Sequence, residues 1–160
     1  MKKLFLFAAL VASITLNAQV TKVQLKASGL TCSMCSNAIN KALKTLDFVE
    51  NINADIKTYT FDISFKANRK VDFDKIKKKV EGAGFSVTSF TAFINFNHLV
   101  VKNMESVVID DQSLVFVTPD ERLLNGVTAI QLLDKGFVSK KEYKKTSLPA
   151  LLPGTYHVNI

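Results

Sequence analysis

Between residues 21 and 91 the apolar positions switch between a two-residue and a helical period in one order, and that order constrains the fold more than any other feature of the chain. TKVQLKAS (21–28) sets Val23, Leu25 and Ala27 on one face and Lys22, Gln24 and Lys26 on the other, which predicts a half-buried strand. Ala38, Ile39, Ala42, Leu43 and Leu46 then recur at three- and four-residue spacing and predict an amphipathic helix over 35–46. VENINADI (49–56) and TYTFDISFK (58–66) predict a hairpin with Tyr59, Phe61, Ile63 and Phe65 on its buried face. Asp72 is a candidate N-cap for a second helix bearing Phe73, Ile76, Lys79, Val80 and Ala83, which Gly82 and Gly84 end. A fourth strand follows over 85–91.

This order, strand-helix-strand-strand-helix-strand over about 70 residues, predicts an α+β fold of the ferredoxin-like βαββαβ type, an antiparallel four-stranded sheet with both helices on one face. The remainder, 92–160, reads differently. Short apolar runs (FINF, HLVV, SVVI, SLVFV, VTAIQLL) alternate with turn signals at Asp110-Asp111, Pro119-Asp120 and Asn125-Gly126, which predicts a small β-rich domain with a helical turn or two over 139–145 and a closing strand over 156–160. So small a unit is expected to pack on the first domain or on another chain.

The first nineteen letters, MKKLFLFAALVASITLNAQ, carry a basic start at Lys2 and Lys3, an apolar run from Leu4 to Leu16 and a small residue at Ala18. That is the pattern of a secretory signal peptide over 1–18, and the run is shorter than the roughly 18 to 20 apolar residues of a bilayer span. The expected mature protein is periplasmic or secreted and has no membrane span. Losing Lys2 and Lys3 would lower the formal charge from +7 to about +5, a mildly basic balance. With Arg69 and Arg122 as the only arginines and no basic-aromatic interleaving, nucleic acid is not an expected partner.

Cys32 and Cys35, the only cysteines, sit two residues apart between the first strand and the first helix. A redox pair of thioredoxin type occupies a similar place, because a helix N-terminus lowers thiol pKa. Thioredoxin-like sites, however, usually have Trp before and Gly-Pro between the cysteines, whereas this chain has no Trp and places Ser33 and Met34 between them. A structural disulfide suits an exported chain but gains little from so short a loop. Two thiolates converging on one soft ion suit Cu(I) or Hg(II), and a closed four-thiolate zinc site is excluded by the cysteine count.

Gly29-Leu30-Thr31-Cys32-Ser33-Met34-Cys35 together with the βαββαβ order resembles the heavy-metal-associated domain, the module of copper chaperones, copper-transporting P-type ATPases and the periplasmic mercury-binding protein. The resemblance covers residues 20–91, with Leu30 in place of the family's usual Met, a buried support of the loop. It implies that Cys32 and Cys35 are the ligands of an open, nearly linear site from which a partner's thiolate can take the metal. Gly84-Phe85 matches the pattern of the ATPase domains, where soluble chaperones often have Tyr or Lys after the glycine.

Other candidates are secondary. Met34 could lend a thioether, and His98, His157 or Met104 a third ligand if the 92–160 region folds over the loop, although a lone histidine in a strand is ordinarily packed or at the surface. Lys41, Lys44, Lys75, Lys77, Lys78 and Lys79 form solvated helix faces or a docking patch for an acidic partner, which Lys135, Lys140, Lys141, Lys144 and Lys145 could extend. No nucleophile elbow, phosphate-cradling loop or His-Glu metal motif is present, so no enzyme is expected. The expected function is an exported heavy-metal-binding protein that carries Cu(I), with Hg(II) as the second metal. A protein-interaction module or a thiol-disulfide oxidoreductase with oxidised cysteines is the alternative of another class.

Overall fold

A computed structural model describes residues 18–30 and 33–160; the leader expected over 1–18 lies outside the described residues except for Ala18, and so does Cys32. The first six elements follow the expected order: β1 (Gln19–Ser28), α1 (Ser33–Lys44), β2 (Val49–Asp55), β3 (Thr60–Phe65), α2 (Phe73–Gly82) and β4 (Ser86–Val101). Then come β5 (Ser106–Ile109), β6 (Gln112–Phe116), β7 (Arg122–Leu132), α3 (Lys140–Thr146) and β8 (Thr155–Asn159). The fold is α+β, ferredoxin-like in its first part and mostly β in its second.

The local signals are realised in contacts. Val23, Leu25 and Ala27 of β1 are buried, together with Ile39 and Leu43 of α1 and Ile76 and Val80 of α2, in one apolar core. Asp72 caps α2 by accepting from the Lys75 N–H at 2.9 Å. The hairpin differs from expectation at one end: Tyr59 lies in the turn with φ +54 and is 43% exposed, so β3 starts at Thr60 and only Phe61 and Ile63 are fully buried. A tight reversal took the residue that the alternation would have placed inside.

β4 is the long element, with 16 residues. It pairs antiparallel with β1 from Ser86 to Asn95 and with β7 from Thr91 to Val101, so the sheet runs on without a break past residue 91. The eight strands of the described residues form one sheet in the order β2-β3-β1-β4-β7-β8-β6-β5. Phe90, Ala92, Ile94 and Phe96 carry one buried face along β4 from the first part of the chain into the second. Asn125-Gly126 is not a turn: both lie inside β7, where Gly126 (φ +76) faces a bulge in β4 between Phe96 and Leu99. Opposite that bulge the β7 backbone takes a positive φ, which glycine adopts without strain, and that is how a turn dipeptide sits in mid-strand.

β8 enters between β7 and β6, antiparallel to the first and parallel to the second. Four rings join this half of the sheet to the helices: Phe73 of α2 lies 5.2 Å from Phe90 of β4, Phe90 lies 5.2 Å from Phe137, and Phe137 lies 5.2 Å from Tyr156 of β8. The Asp110-Asp111 turn between β5 and β6, with both residues at positive φ, holds the start of α2 through polar contacts. The buried Gln112 amide accepts from the Phe73 N–H at 2.9 Å and donates to the Val71 carbonyl at 2.6 Å, and Asp110 accepts from the Val71 N–H at 3.3 Å. Gln112 thus satisfies one of the first-turn N–H groups that an α-helix leaves without an internal partner.

Gln112→Leu leaves the Phe73 N–H and the Val71 carbonyl without these partners, and should lower unfolding stability by about 2–3 kcal/mol in urea titration, while Asp111→Asn at the exposed turn changes it by under about 0.5 kcal/mol. A second expectation concerns alkaline pH. Burial, and then the Asp74 carboxylate that its hydroxyl is hydrogen-bonded to, push the Tyr156 phenol far above its ordinary range. The folded state therefore holds this proton more tightly than the unfolded chain does. The associated stability is full below about pH 10 and is lost as pH rises beyond it, so Tyr156→Phe should flatten the fall in Tm between about pH 10 and 11.5.

Candidate metal-binding site

β1 ends at Ser28, opposite Ser86 at the start of β4, so the loop after β1 and the loop before β4 emerge side by side. Gly29 turns the chain with φ +87. A Cβ there would lie 3.6 Å from the Phe85 ring, an ordinary contact, so the backbone angle and not crowding calls for glycine. Leu30 is buried at 7% exposure and ties the loop to the core. On the facing side α2 ends at Gly82, the Ala83 N–H bonds the Lys79 and Val80 carbonyls at 3.2 Å, Gly84 has φ +91, and the half-buried Phe85 follows.

Cys35 stands in the first turn of α1, half-buried and packed against the core cluster, with buried Ser36 after it. The first turn contains no acidic residue, so the positive end of the helix dipole beside the sulfur meets no carboxylate from that turn. A sulfur at the positive end of a helix is a ligand type that suits a soft cation. Met34 is 78% exposed at the same turn.

Residues 24–86 match the heavy-metal-associated domain. The mercuric transport protein periplasmic component of Serratia marcescens is 31% identical over 86 residues, which make up 53% of this chain and 93% of that protein. The chain belongs to the heavy-metal-associated domain family. A probable copper-exporting P-type ATPase of Archaeoglobus fulgidus is 33% identical over 70 residues, 44% of this chain and 9% of the ATPase, so the chain spans less than a tenth of that relative. Among solved structures, a CopZ metallochaperone is similar at 22% identity and a TM-score of 0.40, covering 42% of this chain and 100% of its own.

Around the family's loop, the secondary candidates are dispersed. His98 is exposed in the β4 bulge with φ +48 and its Nδ1 is 3.0 Å from Asn97 Oδ1; at about 3.3 Å per residue this is some tens of ångströms along β4 from Ser86. Met104 lies beyond that end of β4, in the turn to β5, and is 52% exposed. His157 is fully buried in β8, three strands across the sheet from β1, and its Nδ1 lies 2.9 Å from Asp134 Oδ1. It is a packed histidine, and Asp134 is a partner that no spacing in the sequence announces. Among the described residues no group of three or more His, Cys, Asp and Glu side chains could hold a metal ion.

The helix lysines divide. Lys77 leaves the solvated face: it pairs with Asp74 at 3.1 Å and lies over the Phe137 ring at 4.7 Å. Lys75, Lys78 and Lys79 line the groove between α1 and α2 beside Ala38, Ala42 and Leu46.

Gly29→Ala should cost about 1–2 kcal/mol of stability from backbone strain. Since the Phe85 ring is not the obstacle, Gly29→Ala/Phe85→Ala should show no rescue when the four corners of the cycle are compared by urea titration.

Proposed function

We propose that this chain is exported, binds one Cu(I) between the thiolates of Cys32 and Cys35, and hands it on by thiolate exchange. The observation that carries the reading is Cys35, half-buried in a first turn without acidic residues, five residues after Leu30. Two sulfur ligands match the softness of Cu(I) and leave the ion open to attack. In the exchange a partner's thiolate adds to the metal, one bond to sulfur here breaks, and the second follows; the ion keeps its charge and no electron moves. The chain needs no catalytic group for this and acts as a carrier and not as an enzyme. The receiving partner is a protein with its own accessible thiolates, and the lysines at the α1–α2 groove favour an acidic one.

Hg(II) is the second reading, favoured by the 31% identity to a mercuric transport protein over 93% of its length. It is bound by the same two sulfurs, so the metals are separated by competition and not by geometry.

The reduced protein titrated with Cu(I) against a competing chelator should take up one tight equivalent. Cys32→Ser or Cys35→Ser should weaken it by more than about a hundredfold, beyond the effect of losing an outer-shell partner. Tight binding that survives in both single variants would sink the proposal. Turnover of insulin disulfides by the metal-free protein would favour the oxidoreductase reading instead.

A further inference from the structure

A cleft of about 360 Å³ opens away from the metal loop, between α2, α3 and residues 150–154. Its size is at the small end of ligand pockets, which run from about 300 to 1,000 Å³. Phe137 and Tyr156, both buried, form its base, and Leu151 and Leu152 line one wall, the latter 80% exposed. Such a surface suits an apolar body, and the exposed leucine gains from being covered.

The charges decide what kind of body. Both carboxylates of the cleft are already engaged: Asp74 by the Lys77 ammonium at 3.1 Å and the Tyr156 hydroxyl, Asp134 by the His157 N–H at 2.6 Å and Nδ1 at 2.9 Å. The Lys77 cation is spent on Asp74 and on the Phe137 ring. Lys78 and Lys135, by contrast, line the cleft with no ion pair among the described residues, and the Tyr143 phenol beside them has no protein partner there either. The uncompensated charge is therefore positive. Lys140, Lys141, Lys144 and Lys145 of α3 add to the same potential, while Glu142 is tied into the helix's own capping box. A cation meets no open carboxylate in this cleft, and a neutral ligand leaves two ammonium groups unused.

We propose that the cleft binds a small amphipathic carboxylate, with its apolar body on Phe137, Tyr156 and Leu152 and its anionic head on Lys78 and Lys135. The site is separate from the cysteine loop and does not depend on metal. The Tyr143 and Thr155 hydroxyls are neutral donors within the lining that can add a hydrogen bond to the head.

The test is a titration of the full chain with 4-phenylbutyrate and, separately, with 4-phenylbutanol, followed by amide chemical shifts. Saturable shifts at Lys135, Tyr143 and Gly154 are expected, with the carboxylate bound at least about fivefold more tightly than the alcohol. Lys135→Gln, at an exposed position where folding is unaffected, should bring the two ligands to near parity; Lys78→Gln is the weaker control because Lys78 also borders the α1–α2 groove. Cys35→Ser should leave carboxylate binding unchanged, so failure here and failure of the metal reading are told apart. Equal affinity for acid and alcohol, shifts centred on Ala38, Ala42 and Leu46, an unchanged preference in Lys135→Gln, or no saturation would each overturn the proposal.

Discussion

The rest of the structure depends on how the second edge of β4 is satisfied. In a four-stranded βαββαβ sheet that strand is an edge, with a row of backbone N–H and C=O groups open to any passing strand. Here β7 occupies that edge from Thr91 to Val101, and each further strand follows from the edge that the previous one exposes. The apolar face of β4 needs cover over the same length, which Phe137, Tyr156 and Leu132 help supply. The metal loop sits at the Ser86 end of this strand, where β1 still pairs with it. Extending the sheet therefore changed the flank of the domain and left the loop's supports, Gly29, Leu30 and Phe85, in place.

Much of this was legible in the sequence because it is local. Alternation over Val23, Leu25 and Ala27, the Asp72 cap and the glycines after α2 each act through neighbours a few residues away. β4 itself was legible further than 91: Phe90, Ala92, Ile94 and Phe96 keep one unbroken two-residue period. Asn125-Gly126 misled, because the glycine that suits a tight turn also suits the positive φ that β7 takes opposite the β4 bulge. The parallel pairing of β6 with β8 and the Gln112 contacts to Val71 and Phe73 are non-local, and nothing in the composition of either partner identifies the other.

The same division holds for the site. Gly29 and Cys35 were readable because a loop motif fixes them relative to a strand and a helix. Whether a histidine reached the loop depended on sheet order, and sheet order puts His157 three strands away, held by Asp134. The clustering of Lys78, Lys135 and Tyr143 in one cleft likewise required α2 and the segment before α3 to be packed together. The two candidate sites differ in place accordingly: one lies between β1 and the first turn of α1, the other is an apolar recess with a cationic rim.

The insertion of β8 between β7 and β6 has a consequence for the order of assembly. The β5–β6 hairpin is synthesised well before the strand that joins it to the rest of the sheet. Until residues 155–159 emerge, its β6 edge has no partner and the ring of Tyr156 is missing from the aromatic base. The N-terminal βαββαβ unit contains all its own strand pairings, so it can condense early. Its far half waits for residues 155–159, which makes completion of the sheet a late, vectorial event rather than a collapse that starts anywhere along the chain.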